Sequence, residues 1–207
     1  MDSEFSIRKR QPPLINPADC DLDLPASYAV KPSENHFYWK PLSAKELLYP
    51  SDLRLNLIKS RIYRLLYSPQ SQSLSQASRL QHIRELDAEL SSLRMEYPVE
   101  CRPDAFATES TPDYLLHDLS IRGVSIHLEY FYCLGQIHGA SNPFGTLPAR
   151  RGWSPLHSSA EICYEAARST LIFMGRVRHY INYHTFWYVY LSQRIGTFML
   201  MAIVLVL

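Results

Sequence analysis

Eight histidines and four cysteines are the side chains of this 207-residue sequence best suited to hold a metal or attack a substrate. Their spacing argues against both uses. Cys20, Cys101, Cys133 and Cys163 stand far apart, whereas zinc sites and redox motifs draw two cysteines from within a few residues of each other. They read as reduced thiols at core or loop positions of an intracellular chain. His127 and His138 are 11 residues apart, so a helix would carry both on one face. The same interval spans about 16 Å of helix axis, too far for one ion. Cys133 lies between them but points elsewhere, and His117 and His157 add no ligand spacing. Packing or partner contact is the expected role of these rings. Asp87 and Glu89 do not share a helical face and make no acid–base dyad. The sequence carries no nucleophile elbow and no glycine-rich phosphate loop. No catalytic residue, no cofactor-binding residue and no metal ligand is expected, and the chain does not read as an enzyme.

Charge narrows the function further. The formal net charge is +1, too small to draw nucleic acid by its field alone. Arg54, Lys59, Arg61 and Arg64 crowd one segment, where they are expected to form a solvated helix face with some ion pairs rather than a phosphate-binding stripe. No aromatic platforms alternate with basic residues in one stretch. The amino terminus, MDSEFSIRKRQ, is polar and has no apolar signal core.

These groups must be positioned by helices. Glycine is scarce at seven residues, and leucine is abundant, which favours helix over tight-turned strand. Residues 1–50 read as an irregular strap punctuated by Pro12, Pro13, Pro17, Pro25, Pro32, Pro41 and Pro50. Leu14, Ile15, Leu22 and Leu24 would lay that strap against a helical body. A first helix is expected from Ser51 to Tyr67, capped by Ser51 or Asp52, with Leu55, Ile58, Ile62, Leu65 and Leu66 on its apolar face. After a Ser/Gln-rich loop, a second runs from Ser75 to Tyr97 on Leu80, Ile83, Leu86, Leu90 and Leu93, with Glu85, Asp87 and Glu89 facing water. Val99 to Ser110 reads as a polar connector. Thr111-Pro112-Asp113 signals the start of a third, long and central helix reaching His138, in which Gly123 would mark a close crossing. Ser158 and Glu161 form a capping-box pattern for a fourth, whose stripe is Ala160, Cys163, Ala167, Thr170, Leu171, Met174 and Val177. A last helix is expected from Thr185 to Leu207. Tyr63, Tyr67, Tyr130, Tyr132 and Tyr164 suit helix–helix boundaries. The whole is an all-α bundle of four to five amphipathic helices, with residues 51–207 as its helical domain.

Several stretches in this order resemble the regulatory domain, or middle homology region, of fungal zinc-cluster transcription factors. IRKRQPPLINPADCDLDLP from Ile7 to Pro25 is followed by DLRLNLIKSRIYRLLYS from Asp52 to Ser68, as in that family. RLQHIRELDAELSSLRMEYPVECRP is similar to a family segment through Ile83, Leu86, Leu90, Leu93, Pro98, Arg102 and Pro103, although Leu93-Arg94 replaces the usual tryptophan-arginine. IHLEYFYCLGQIHGAS resembles the central helix through Leu128, Tyr130, Ile137 and His138, with Gly139 in place of arginine. SAEICYEAARSTLIFM resembles the next helix through Cys163, Ala166, Ala167 and Arg168, and Phe186-Trp187 opens a further family helix.

The resemblance implies transcription regulation in the nucleus, through protein partners or transcription machinery. It also implies that DNA and zinc belong to a separate six-cysteine cluster, which these residues do not contain. Because the likeness starts partway into the regulatory domain, the chain is expected to be an interior piece of a longer factor: a truncated gene product, a mis-drawn gene model, or a divergent factor that acts without its own DNA contact. Ile195 to Leu207 is continuously apolar over 13 residues, short of the about 20 that a membrane span needs, and a buried core helix is expected there. The alternatives are a small helical protein held to a membrane by Tyr188 to Leu207, and an artefactual end, because MLMAIVLVL does not follow the family's usual pattern.

Overall fold

A computed structural model of the chain describes residues 6, 7, 9, 11–14, 52–106, 121–141 and 157–177. The expected all-α class holds throughout them: there are five α-helices, with short 3₁₀ and π turns between the first three, and no strand among the described residues. Helix α1, Leu53–Ile62, starts where Asp52 stands in extended backbone and its carboxylate accepts from the Arg54 amide at 2.9 Å. This satisfies one of the donors a helix start leaves open. Its far end widens into a π turn, Tyr63–Tyr67, which closes when the Ser68 amide donates to the Tyr63 carbonyl at 2.8 Å. Pro69 then redirects the chain through a 3₁₀ turn, Gln70–Ser73.

Ser75 caps helix α2, Gln76–Glu96, by accepting from the Ser78 amide at 3.1 Å. Tyr97 is extended ahead of Pro98 and ends it, because a residue before proline avoids helical backbone. The stretch expected as a polar connector instead contains a 3₁₀ turn, Val99–Cys101, and helix α3, Pro103–Phe106. Cys101 and Pro103 are buried, so this segment packs rather than merely connects. Arg102 holds it by donating to the Tyr97 and Met95 carbonyls, and Arg94 reaches Asp104 at 3.2 Å.

Helix α4 is Ile121–Gly139 and helix α5 is His157–Val177. The expected start of α4 at Thr111-Pro112-Asp113 lies outside the described residues, as do Leu115 and Leu119 and the whole segment from Thr185 to Leu207. Ser158 sits inside the first turn of α5 rather than at its cap. Packing makes α4 the centre: α5 lies along it most extensively, α1 and α2 pack on each other and on α4, and α3 touches it too. From Gly123 to Cys133 every side of α4 is buried, as a central helix requires.

The apolar stripes form the core as expected. Leu55, Ile58, Ile62 and Leu66 meet Ile83, Leu86, Leu90 and Leu93, with Ile126, Tyr130, Phe131 and Ile137 from α4. Each such side chain contributes about 1.5–3 kcal/mol by leaving water. Three expectations fail. Leu14 is 93% exposed, and Ile7, in helical backbone within the stretch read as irregular, reaches the core instead. Leu171 is 51% exposed because Phe173 takes the inward position on α5. Tyr164 is 47% exposed rather than at a helix boundary.

Among the described residues no helix is long and apolar enough to cross a membrane. Replacing Leu90 by Ala should lower unfolding free energy by about 2–5 kcal/mol in urea titrations, whereas Leu171→Ala should stay within about 0.5 kcal/mol. Equal losses at the two positions would contradict this packing.

Candidate functional site

Several buried polar groups of the described residues, among them Lys59, Glu129, His127 and His138, meet on α4, where burial leaves each needing a partner. On the side facing α1, the Lys59 ammonium lies 3.0 Å from Glu129 Oε2. Both side chains are buried, and the ammonium also stands 6.0 Å from the centre of the Tyr132 ring. The sequence reading placed Lys59 on a solvated face; in the structure it points inward beside Ile58 and Ile62. Glu129 was not singled out because its charge, in the middle of an apolar run, is invisible to a hydrophobic stripe. A carboxylate beside Tyr130 in a central helix was the available signal.

The remaining basic residues of α1 are largely matched by acids. Arg54 binds Asp52 through Nε and the guanidinium, at 2.7 Å for the closest pair, and also reaches Glu96. Tyr97 donates its hydroxyl to Asp52 Oδ2 at 3.0 Å, and its ring lies 5.7 Å beneath the Arg54 guanidinium. Burial works against the Arg54 charge, but Asp52, Tyr97 and Glu96 outweigh it and the cation is held more firmly than usual. Arg61 pairs with Glu89, so Glu89 faces a cation rather than open water. Arg64 is exposed. The four cations therefore do not form one phosphate-binding stripe.

The two histidines serve different contacts. His138 Nε2 is 3.2 Å from Asp87 Oδ1, and Nδ1 is 3.2 Å from Ser159 Oγ. A carboxylate only accepts, so Nε2 carries the hydrogen of its bond to Asp87, while Nδ1 shares a hydrogen bond with the Ser159 hydroxyl. One imidazole thus ties α2, α4 and α5 together. His127 stacks on Phe173 with ring centres 5.0 Å apart, and its Nδ1 donates to the Gly123 carbonyl at 2.6 Å. Burial pushes its pKa from 6.5 down to about 4, against the opposing pull of the Gly123 and Arg102 backbone and of Asp104.

Three of the cysteines are likewise packed, and Cys20 lies outside the described residues. Cys101, Cys133 and Cys163 are buried; the Cys163 thiol lies 3.6 Å from the Gly135 carbonyl, and burial pushes it up to about 11. That thiol stays protonated and unreactive at neutral pH. Burial likewise raises Tyr130 to about 12. No group of three His, Cys, Asp or Glu side chains among the described residues is placed to hold a metal ion. Chemically, the arrangement orients helices: its acids and bases neutralise or fix one another across helix pairs.

Comparison with known proteins gives the chain relatives. It is 28% identical over 194 residues, 86% of this chain, to an ABC-transporter-regulating transcription factor of Aspergillus oryzae. It is 29% identical over 186 residues, 83% of this chain, to a protein of the same description in Aspergillus fumigatus. The chain spans about a fifth of the length of these relatives, 21% and 20% respectively. No known family pattern and no solved structure matches it. The relatives are transcription factors, in line with the fungal transcription-regulation class implied by the sequence resemblance.

Removing one member of the buried pair, by Lys59→Met or Glu129→Leu, should cost about 3–5 kcal/mol, whereas the double replacement should be far less costly or even stabilising. A denaturation cycle in which the two losses simply add would contradict the pairing.

For His127 the folded value lies below the unfolded one, so the unfolded chain takes up the proton first as pH falls. Its contribution is constant above about 6.5, and stability is lost on acidification towards 4, on the order of 3 kcal/mol. His127→Phe should flatten the stability profile across that window; an unchanged slope would contradict a buried neutral ring.

Proposed function

We propose that this chain is a regulatory segment of a fungal transcription factor, of the middle-homology type, acting in the nucleus through protein contacts. The observation that carries the proposal is its similarity, over most of its length, to the two Aspergillus transcription factors. The packing supports the same assignment. Of the positions that carry the family resemblance, Ile83, Leu86, Leu90, Leu93, Leu128, Tyr130, Ile137, His138, Cys163, Ala166 and Ala167 are buried, whereas Pro98 is half-buried and Arg168 is exposed. Arg102 ties the end of α2 to the turn that follows. A shared pattern made of such positions specifies a scaffold, onto which partner contacts are built from outside.

DNA contact is assigned to other sequence. The chain has four dispersed cysteines, not the six clustered thiolates of a binuclear zinc module, and the α1 cations do not line up as one phosphate face. The names of the relatives make genes of ABC transporters the target class to examine.

Fusion of the full chain to an unrelated DNA-binding domain tests the assignment in a fungal reporter strain. Output should rise or fall relative to the DNA-binding domain alone at equal nuclear level, while the purified chain should not shift a DNA duplex by itself. Reporter output indistinguishable from the bare DNA-binding domain would contradict a regulatory role.

A further inference from the structure

We propose that Ser75 is a phosphorylation site, at which a serine/threonine kinase places a phosphate that Arg79 and the first turn of α2 then hold. Charge sets the place. Between Asp52 and Glu85 the sequence carries Arg54, Lys59, Arg61, Arg64, Arg79 and Arg84, and no acid. Asp52 and Glu96 neutralise Arg54, Glu129 neutralises Lys59, and Glu89 neutralises Arg61. Among the described residues no carboxylate pairs with Arg64, Arg79 or Arg84. Arg64 and Arg79 bracket the serine-rich turn that joins α1 to α2. The partner of the Arg79 guanidinium there is a neutral one, the Ser71 carbonyl at 3.2 Å.

Burial singles out one hydroxyl in that turn. Ser68 and Ser71 are buried, and their hydroxyls donate to the Arg64 and Ser68 carbonyls, each at 2.7 Å. Ser73 is exposed but lies within the 3₁₀ turn, its hydroxyl on the Gln70 carbonyl at 2.8 Å. Ser75 is exposed, and Leu74 and Ser75 both stand in extended backbone, the form in which a kinase cleft takes an acceptor. Leu74, Gln76 and Ala77 are exposed as well, so the first turn of α2 can fray to admit the chain. In the transfer, Ser75 Oγ attacks the γ-phosphorus of ATP. The new O–P bond forms as the bond to the β-phosphate oxygen breaks, ADP leaves, and the hydroxyl proton passes to the catalytic aspartate of the kinase.

The product carries close to two negative charges at neutral pH. The first turn of α2 holds no acid to repel it, and the end of the helix dipole there is positive. Donors are already in place: the Ser78 amide lies 3.1 Å and the Ser78 hydroxyl 2.9 Å from Ser75 Oγ. The Arg79 amide bonds the Ser75 carbonyl at 3.0 Å, which sets Arg79 one turn on, at neighbouring spacing. Moving the guanidinium from a neutral carbonyl to a dianion strengthens its hydrogen bond and fastens the turn to α2. None of this depends on the transcriptional role of the chain.

Phosphate mapping by mass spectrometry, on the full chain isolated from growing fungal cells, should find Ser75 modified. The physical consequence is read on the full chain made with phosphoserine in place of Ser75. Its thermal midpoint at neutral pH should exceed that of the unmodified chain by about 2–4 °C, the scale of a helix-end charge in a chain of this size. Arg79→Gln should remove at least half of that gain, and high salt should shrink it. The gain should also fall as pH drops below about 6: the folded contacts lower the second pKa of the phosphate, so the unfolded chain takes up that proton first. Chain from cells with no phosphate on Ser75, or with phosphate confined to other serines, overturns the proposal. So does a midpoint that does not rise, or a gain indifferent to Arg79→Gln. An equal rise of the unmodified chain in inorganic phosphate, at matched ionic strength, would assign the effect to a free anion and overturn it too.

Discussion

The carboxylate of Glu129 sits in a helix that is buried on every side along its middle, and the Lys59 ammonium offsets the loss of its hydration. An uncompensated charge at that depth would cost several kcal/mol. The pair therefore fixes more than its own geometry. It sets the rotation of α1 about its axis, because Lys59 can reach Glu129 only when Ile58 and Ile62 are already turned inward. It also sets the register of α1 along α4. Apolar stripes alone tolerate sliding and rotation far better than a buried charge does.

The same demand is repeated around α4 with other chemistry. His138 needs a partner for each ring nitrogen, and finds them on α2 and α5. His127 needs an acceptor for Nδ1 and a flat surface, and finds the Gly123 carbonyl and Phe173. Tyr67 donates to the Gln136 carbonyl at 2.8 Å and so anchors the π turn to α4. Each contact is made once and in one geometry, so together they choose one packing among the many that a leucine-rich bundle allows.

Much of this was legible in the residues. The stripes of Leu55, Ile58 and Ile62, and of Ile83, Leu86 and Leu90, are periodic, and periodicity is what burial reads. A cap at Ser51 or Asp52 and the centrality of the helix ending near His138 were equally legible, for the capping chemistry and the unbroken apolar run are local signals, and the structure chooses Asp52. What escaped is non-local. Nothing near Lys59 in the sequence shows that Glu129 will stand opposite it, so its charge looked solvated. Phe173 and Leu171 differ by two positions on α5, and only the rotation imposed by α4 decides that Phe173 turns in and Leu171 out. Leu14 was expected against the body by its type alone, while Ile7 supplies that contact through a helical backbone that the surrounding prolines obscured. His127 and His138 are packed rings, one of the two roles expected of them, but their partners on other helices lay beyond spacing arguments.

The central claim is that α4 is the buried axle of the molecule, held by its polar partners as well as by its apolar surface. Hydrogen exchange of the backbone amides, followed by mass spectrometry under native conditions, tests it most directly. The slowest-exchanging segment should be 124–138, with the facing turns of α1, α2 and α5 next and the short helix α3 fastest. Exchange in 124–138 as rapid as in α3 would contradict the account.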